Sequence, residues 1–221
     1  MFTGIIEGLG TVAGLRGIQE GRRMTVTADF ELTGTRIGDS IAVNGACLTA
    51  VAVNGRRFEA DLSPETLARS TFATARVGQR VNLERALRLS DRLDGHLVSG
   101  HIDACGEIRS VEKSGNAWYV AVDAPGQVMR YVIEKGSVAV DGISLTVNAC
   151  RDTGFSVTVI PHTAASTTIG FKQPGERVNL EVDMIGKYVE RFVAAMRSPK
   201  NEKGDDPAAL NRDFLARHGF L

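Results

Sequence analysis

The chain has no surplus of either charge: 26 Lys and Arg stand against 26 Asp and Glu, and the formal net charge is zero. A protein so balanced has no basic field to draw in nucleic acid. No apolar run approaches the length of a membrane span, and residues 1–12, MFTGIIEGLGTV, lack the positive flank and apolar core of a secretion signal. Cysteine is scarce too. Cys47, Cys105 and Cys150 are odd in number, widely spaced and without a CxxC pair, which argues against a disulfide framework or a zinc site. His96, His101, His162 and His218 never fall at a metal-ligand spacing with them. GxGxxG after a strand, the P-loop, HExxH and the GxSxG elbow are all missing. The expectation is a soluble cytoplasmic protein with reduced thiols, no metal, no nucleic acid and no membrane partner.

What the chain does have is a repeat. SIAVNGACLTA at 40–50 returns as SVAVDGISLTV at 137–147, an offset of 97 residues. FTGIIEGLGTV at 2–12 pairs with VSGHIDACGEI at 98–108, SPETLARST at 63–71 with IPHTAASTT at 160–168, and GQRVNLE at 78–84 with GERVNLE at 175–181. Four matches in one order mean two homologous domains, 1–96 and 97–186. A period this long is a domain with its own core rather than a solenoid repeat.

Each copy reads as mostly β. MTVTADF places Met24, Val26, Ala28 and Phe30 on one face, the period of a half-buried strand. AVNG and AVDG put Asn-Gly and Asp-Gly between apolar runs, which predicts tight reverse turns. RFEADLS, WYVAVDA and FSVTVI add strands, while PETLARST and PHTAASTT open with Pro and read as short helices. Many short strands with Gly-rich turns predict an all-β chain of two tandem antiparallel barrels. Their matched Ser, Thr and Gly positions predict two related pockets, in which a flat polar ligand is held in an apolar mouth.

Beyond Met184 the period changes. Tyr188, Val189, Phe192, Val193 and Met196 fall on one stripe of a helix over 187–197. Such a stripe covers its own barrels or meets another chain, and at the end of two complete domains self-association is favoured. Residues 198–221 read as a polar linker, SPKNEKGDDP, followed by a short terminal helix.

The two copies differ where chemistry is at stake. Ile5 answers to His101, Cys47 to Ser144 and Glu65 to His162. Each difference also has a plain structural reading, a lone strand Cys being most often a small buried hydrophobe. The residues alone define a duplicated barrel with two related pockets.

MFTGIIEG, NGACLT, GHLVSGHID, DGISLT, IPHT and RVNLEVD resemble, in order and in both copies over about residues 1–196, the hallmark segments of the riboflavin synthase α-chain family. The resemblance implies two tandem six-stranded lumazine-binding barrels and a C-terminal α-helix that holds a homotrimer. It implies a reaction without cofactor, in which two molecules of 6,7-dimethyl-8-ribityllumazine dismutate by four-carbon transfer to riboflavin and 5-amino-6-ribitylamino-uracil. One barrel would hold the donor and the other the acceptor, with the productive pair formed between neighbouring subunits. The lumazine C7 methyl is acidic because its anion delocalises into the ring, so proximity and hydrogen bonds to the ring carbonyls would supply much of the acceleration.

Carried over by position, Ser40, Cys47, His101 and Asp183 match the family's polar residues at the reaction centre, with His101 the candidate for proton transfer. Gly4, Ile5, Ile6, Cys47, Leu48, Thr49, Asp61, Leu62, Ser63, Pro64, Glu65 and Thr66 match its N-barrel ligand contacts. His101, Ile102, Asp103, Lys135, Ser144, Leu145, Thr146, Ile160, Pro161, His162, Thr163, Ala164 and Ala165 match those of the C-barrel. Some relatives dock inside a lumazine synthase capsid, an association the resemblance allows here. The rival reading is a non-catalytic lumazine- or flavin-binding protein, which would be expected to lose the site residues of one barrel.

Overall fold

Alternation along short strands decides which side chains fill the two cores and which face outward. The computed structural model describes residues 1–197 together with 215, 216 and 218. The first copy runs Gly8–Ile18 (β1), Gly21–Ala28 (β2), Ser40–Val43 (β3), Ala46–Asn54 (β4), Arg57–Leu62 (β5), helix Pro64–Arg69 (α1) and Arg80–Arg85 (β6). The second runs Ala104–Ser114 (β7), Ala117–Asp123 (β8), helix Gly126–Met129 (α2), Ser137–Val140 (β9), Ile143–Arg151 (β10), Gly154–Val159 (β11), helix Pro161–Ser166 (α3) and Arg177–Val182 (β12). A last helix, Met184–Arg197 (α4), follows.

Each set of six strands closes into an antiparallel barrel, in the order β1-β2-β5-β4-β3-β6 and again β7-β8-β11-β10-β9-β12. Closure leaves neither sheet an open edge. Register shifts between Val12 and Gly14, Ala50 and Ala52, Ile108 and Ser110, and Val147 and Ala149 recur at matching places in the two copies. Such bulges supply the local twist by which a small sheet bends into a barrel.

The Asn-Gly and Asp-Gly turns form as predicted. Asn44 and Gly45 have φ of 43° and 80°, Asp141 and Gly142 have 45° and 80°, the positive values a two-residue hairpin needs. Both turns lie where the barrels meet, and a Cβ on Gly45 would stand 2.7 Å from the Gly142 nitrogen. No larger residue fits that approach.

One strand is shorter than its pattern. Met24, Val26 and Ala28 are buried in the first core, yet β2 ends at Ala28. Asp29 donates its N–H back to the Leu9 carbonyl at 2.8 Å, and Phe30, half-buried, packs over Gly8 instead of continuing the strand. α2 was not signalled by its sequence.

The barrel interiors are packed solid, with Met24, Ile41, Phe58, Leu62, Phe72 and Leu83 in the first core and Ile108, Phe155, Ile169 and Leu180 in the second. The apolar mouth expected of each barrel is therefore filled. Along β4, Ala46, Leu48 and Ala50 are buried while Cys47 and Thr49 turn outward; along β10, Ile143, Leu145 and Val147 are buried while Ser144 and Thr146 turn outward. The distinctive polar residues lie on the outer wall.

The chain forms two units, Met1–Lys187 with both barrels and Tyr188–Leu221. α4 begins at Met184, earlier than the predicted 187, where Asp183 Oδ1 accepts the Ile185 N–H at 3.0 Å. Its stripe is as predicted, with Tyr188, Val189, Phe192, Val193 and Met196 exposed in the single chain. The linker and terminal helix predicted for 198–221 lie outside the described residues, apart from Leu215, Ala216 and His218. No described helix is long and apolar enough to cross a membrane.

Candidate active site

The segment that opens each copy crosses to the other barrel. Phe2 and Val98 pair with each other, N–H to carbonyl in both directions at 2.8 and 3.1 Å. Beyond that pair the two strands of chain part. Gly100 accepts the Cys47 N–H at 2.8 Å, and Gly4 accepts the Ser144 N–H at 2.8 Å. The predicted grouping is thereby exchanged in part: Gly4 and Ile6 lie against the C-terminal barrel and His101 and Ile102 against the N-terminal one, while Ile5 shares a groove with Ser40 and Asp103, beside the N-terminal cleft, bonds to β12. Both glycines have positive φ, +76° and +84°, and a Cβ would stand 2.6 Å from Ser144 Cβ or 2.4 Å from Cys47 Cβ.

Two glutamates from the repeated RVNLE hold these segments. Thr3 donates to Glu84 Oε1 from its N–H at 2.6 Å and its hydroxyl at 2.7 Å, and Gly4 N–H reaches Oε2 at 3.0 Å. Ser99 and Gly100 repeat this on Glu181 at 2.6, 2.7 and 2.9 Å. Burial pushes both carboxyls above the ordinary glutamate value in spite of those bonds. Neither glutamate was among the expected site residues, although their recurrence at one offset, Glu84 and Glu181, is a signal in the sequence.

At the N-terminal barrel the crossing segment closes a cleft of about 340 Å³, with Cys47, Glu65, Thr66, His101, Ile102 and Asp103 among its walls. Ser63 caps α1 by accepting the Thr66 N–H at 3.1 Å, Pro64 occupies the first turn, and Glu65 is paired with Arg69 at 2.9 Å. His101 is exposed and turns Nδ1 to Ser99 Oγ at 3.0 Å. Asp61 is gripped by both arms of Arg23 at 2.6 and 2.8 Å, which holds its carboxyl below the usual range. Asp103 is equally committed, to the Val182 N–H at 2.9 Å and to Lys187 at 2.6 Å.

The C-terminal barrel gathers Ser144, Gly4 and His96, a residue given no role by the sequence. His96 Nδ1 lies 2.7 Å from Ser144 Oγ. Burial makes its ring harder to protonate, opposed by the charge of Asp183. Thr146, Ile160, Pro161, His162 and Ala165 are exposed and Thr163 half-buried. Asn148 on β10 bonds the Thr158 hydroxyl on β11, where the N-terminal barrel has Val51 and Asp61.

The four predicted catalytic residues do not share one place in the chain. Cys47 and His101 line the N-terminal cleft, Asp183 acts on His96, and Ser40 opens with Ile5 on a groove of about 620 Å³. Leu48, Leu62, Leu145 and Ala164 belong to the cores, which leaves their backbone groups to meet a ligand. Lys135 is exposed at φ +64°, in the place where the first copy has Gly38 at φ +94°. A left-handed conformation is costly for any residue with a side chain, so a lysine there calls for a use.

The model of the lumazine binding domain matches residues 3–86 and again 99–183. The chain is thus a protein of two tandem lumazine-binding domains. Riboflavin synthase of Mycobacterium tuberculosis is 48% identical over 198 residues, covering 87% of this chain and 98% of that one. The riboflavin synthase of Photobacterium phosphoreum is 42% identical over 222 residues and that of Bacillus subtilis 36% over 220, each covering both chains in full. The chain belongs to the riboflavin synthase family. Among solved structures, LumP with riboflavin matches with a TM-score of 0.76 and LumP with 6,7-dimethyl-8-(1'-D-ribityl) lumazine with 0.73, each at 22% identity over 82% of this chain and 99% of that one, a likeness of fold.

Proposed function

We infer that this chain is a riboflavin-forming transferase, which dismutates two molecules of 6,7-dimethyl-8-ribityllumazine by four-carbon transfer. The observation that carries the reading is a matched group of polar residues and a crossing segment on the outer wall of each barrel. Cys47 with Gly100 and His101 stands on one, Ser144 with Gly4 and His96 on the other. A protein that only carried a chromophore would need one.

Each site offers a flat outer wall of strand with outward hydroxyls, Thr49 or Thr146, and a short helix beside it. Two lumazines held on such walls become a pair when walls from different subunits face each other, and that ordering removes most of the entropy cost of the encounter. Asp61, fixed by Arg23, suits the ribityl hydroxyls at the first site, as do Asn148 and Thr158 at the second. The C7 methyl gives up a proton into a delocalised anion, so a hydroxyl or imidazole suffices as base. The exposed stripe of α4, from Tyr188 to Met196, supports assembly into a homotrimer. The three free thiols suit the cytoplasm, where they stay reduced.

The test is to mix the pure protein with 6,7-dimethyl-8-ribityllumazine alone, chelator present and no cofactor added, and to follow riboflavin by absorbance. Catalytic formation of one riboflavin for every two lumazines consumed is expected. Tight binding without turnover would make the chain a lumazine carrier.

A further inference from the structure

His101 opens on the N-terminal cleft beside Cys47 and Ile102, and the nitrogen that carries its proton decides what the ring offers there. In a neutral ring left to water Nε2–H is the commoner form, but a hydrogen bond at one nitrogen can reverse that preference. His101 Nδ1 has such a partner. It lies 3.0 Å from Ser99 Oγ, which also accepts the His101 main-chain N–H at 3.3 Å.

The direction of the ring contact follows from the far side of the serine. Ser99 Oγ has one proton to give, and Glu181 Oε1 stands 2.7 Å away. An ionised carboxylate only accepts, and a bond to it is stronger than one to a neutral imidazole. The Ser99 and Gly100 N–H groups, at 2.6 and 2.9 Å, join the hydroxyl on the same carboxyl. Three donors favour its ionised form, against burial and the charge of Asp103. With its proton given to Glu181, Ser99 Oγ can only accept from the ring. Nδ1 is then the donor, and Nε2 is the bare nitrogen left for the cleft.

The first copy of the repeat shows what the second adds. Thr3 gives its hydroxyl proton to Glu84 and accepts the Ile5 main-chain N–H at 3.1 Å, but residue 5 has no side-chain nitrogen. A hydroxyl ties the crossing segment to its glutamate in both copies. Only in the second does an imidazole hang on that hydroxyl.

We propose that Ser99, its proton drawn to Glu181, fixes His101 in the Nδ1–H form, so that the N-terminal barrel meets its lumazine with a bare Nε2 acceptor. The effect on turnover rests on the dismutation reading given above; the tautomer does not. A bare nitrogen pairs with an N–H or hydroxyl of the ligand and is repelled by a carbonyl oxygen, so it selects which edge of the ligand lies against it. Ser99 is a positioning residue, acting through His101.

The experiment reads the tautomer directly, by proton–nitrogen correlation NMR on the full chain labelled with nitrogen-15 histidine, where the ring is neutral. The His101 signals are those lost in His101→Gln. The parent should show a protonated Nδ1 and a bare Nε2. Ser99→Ala should return the ring to mainly Nε2–H and lower kcat about tenfold or more, with KM within about threefold. Ser99→Thr, which installs the side chain of the first copy, should rescue both the Nδ1–H form and turnover. A parent ring protonated on Nε2, or a Ser99→Ala ring still protonated on Nδ1, would overturn the proposal. So would a changed tautomer in Ser99→Ala with turnover undiminished. A parent protein that shows the Nδ1–H form and binds lumazine but forms no riboflavin would overturn the functional reading instead, and leave the tautomer standing.

Discussion

Asn82 and Asn179 each reach into the other's barrel. The Asn82 amide donates to the Asp141 carbonyl at 2.8 Å, and the Asn179 amide donates to the Asn44 carbonyl at 2.9 Å. Their side-chain oxygens cross as well, accepting the N–H of Thr168 and of Thr71 at 2.7 Å. The repeat thus becomes a local two-fold axis, with the Asn-Gly and Asp-Gly turns on it and an asparagine to either side. Both asparagines are fully buried.

Truncating one of them leaves a carbonyl and an N–H buried without partners. At about 1–3 kcal/mol for each such group, Asn82→Ala should cost about 2–4 kcal/mol after partial relaxation. Urea unfolding checks this: the midpoint should fall with Asn82→Ala and with Asn179→Ala by similar amounts. A loss below about 0.5 kcal/mol would mean that water replaces the amide and that the asparagine is not what ties the barrels.

Gly100→Ala should damage the N-terminal site and Gly4→Ala the C-terminal one. Each new Cβ meets a backbone already at positive φ and a neighbouring Cβ closer than contact allows, so the crossing segment must move off the barrel wall. The expected cost is about 2 kcal/mol or more of stability, with turnover at least tenfold lower. Lumazine titration should then find one of the two sites intact in each variant. Two unchanged sites in either variant would show that the segment does not shape the pocket.

Much of this was legible in the chain. Repetition revealed two domains, Asn-Gly and Asp-Gly revealed the turns, and the alternation around Cys47 and Ser144 marked the strands that carry chemistry. The exchange of the opening segments was not legible, because a repeat whose copies are alike locally reads the same whether a segment lies on its own barrel or on its twin. The partner is chosen by contacts such as Ser144 to Gly4, between residues 140 positions apart, which leave no local trace. His96 had no such signal either: it lies outside the two matched segments, 3–86 and 99–183, so comparing them cannot single it out. Phe30 misled because strand periodicity continued past the point where Asp29 turns the backbone back to Leu9.

Lys135→Gly separates strain from use. Relief of the left-handed conformation, about 1–2 kcal/mol, is offset by the greater freedom of glycine in the unfolded chain, about 0.5–1 kcal/mol. Stability should therefore rise by about 0.5–1 kcal/mol in a urea melt. Turnover should fall at least tenfold if the ammonium serves the ligand. A variant that is both steadier and as fast as the parent would leave the lysine unexplained.

Glu84 and Glu181 make stability depend on pH in a definite direction. Their folded values lie above the ordinary glutamate value because burial outweighs the bonds they accept. A raised value means a contribution fully present below the unfolded value and lost as pH rises through the folded one. Glu84→Gln cannot titrate, and its amide nitrogen would face the Gly4 N–H, an opposition costing about 1–3 kcal/mol. The parent should thus exceed the variant by that amount in mild acid and by less at neutral pH. A gap that widened toward neutrality would show that the three bonds, rather than burial, govern the carboxyl.

Phe192→Asp tests whether the two sites work across subunits. Phe192 lies at the middle of the α4 stripe, 61% exposed in the single chain, with Tyr188 stacked against it at 6.4 Å between ring centroids. Apolar rings left in water on one face are a surface awaiting a partner, and a carboxylate set among them would face desolvation in any assembly that buried the stripe. The barrels lie in residues 1–187 and do not draw their cores from this residue, so the variant should fold. Sedimentation should find the parent as a trimer and the variant as a monomer, with the circular dichroism of the barrels unchanged and riboflavin formation abolished. Lumazine binding to single barrels should persist in the monomer, since each wall is complete within one chain. A monomer that made riboflavin at the parental rate would place both lumazines on one subunit and remove the reason for assembly.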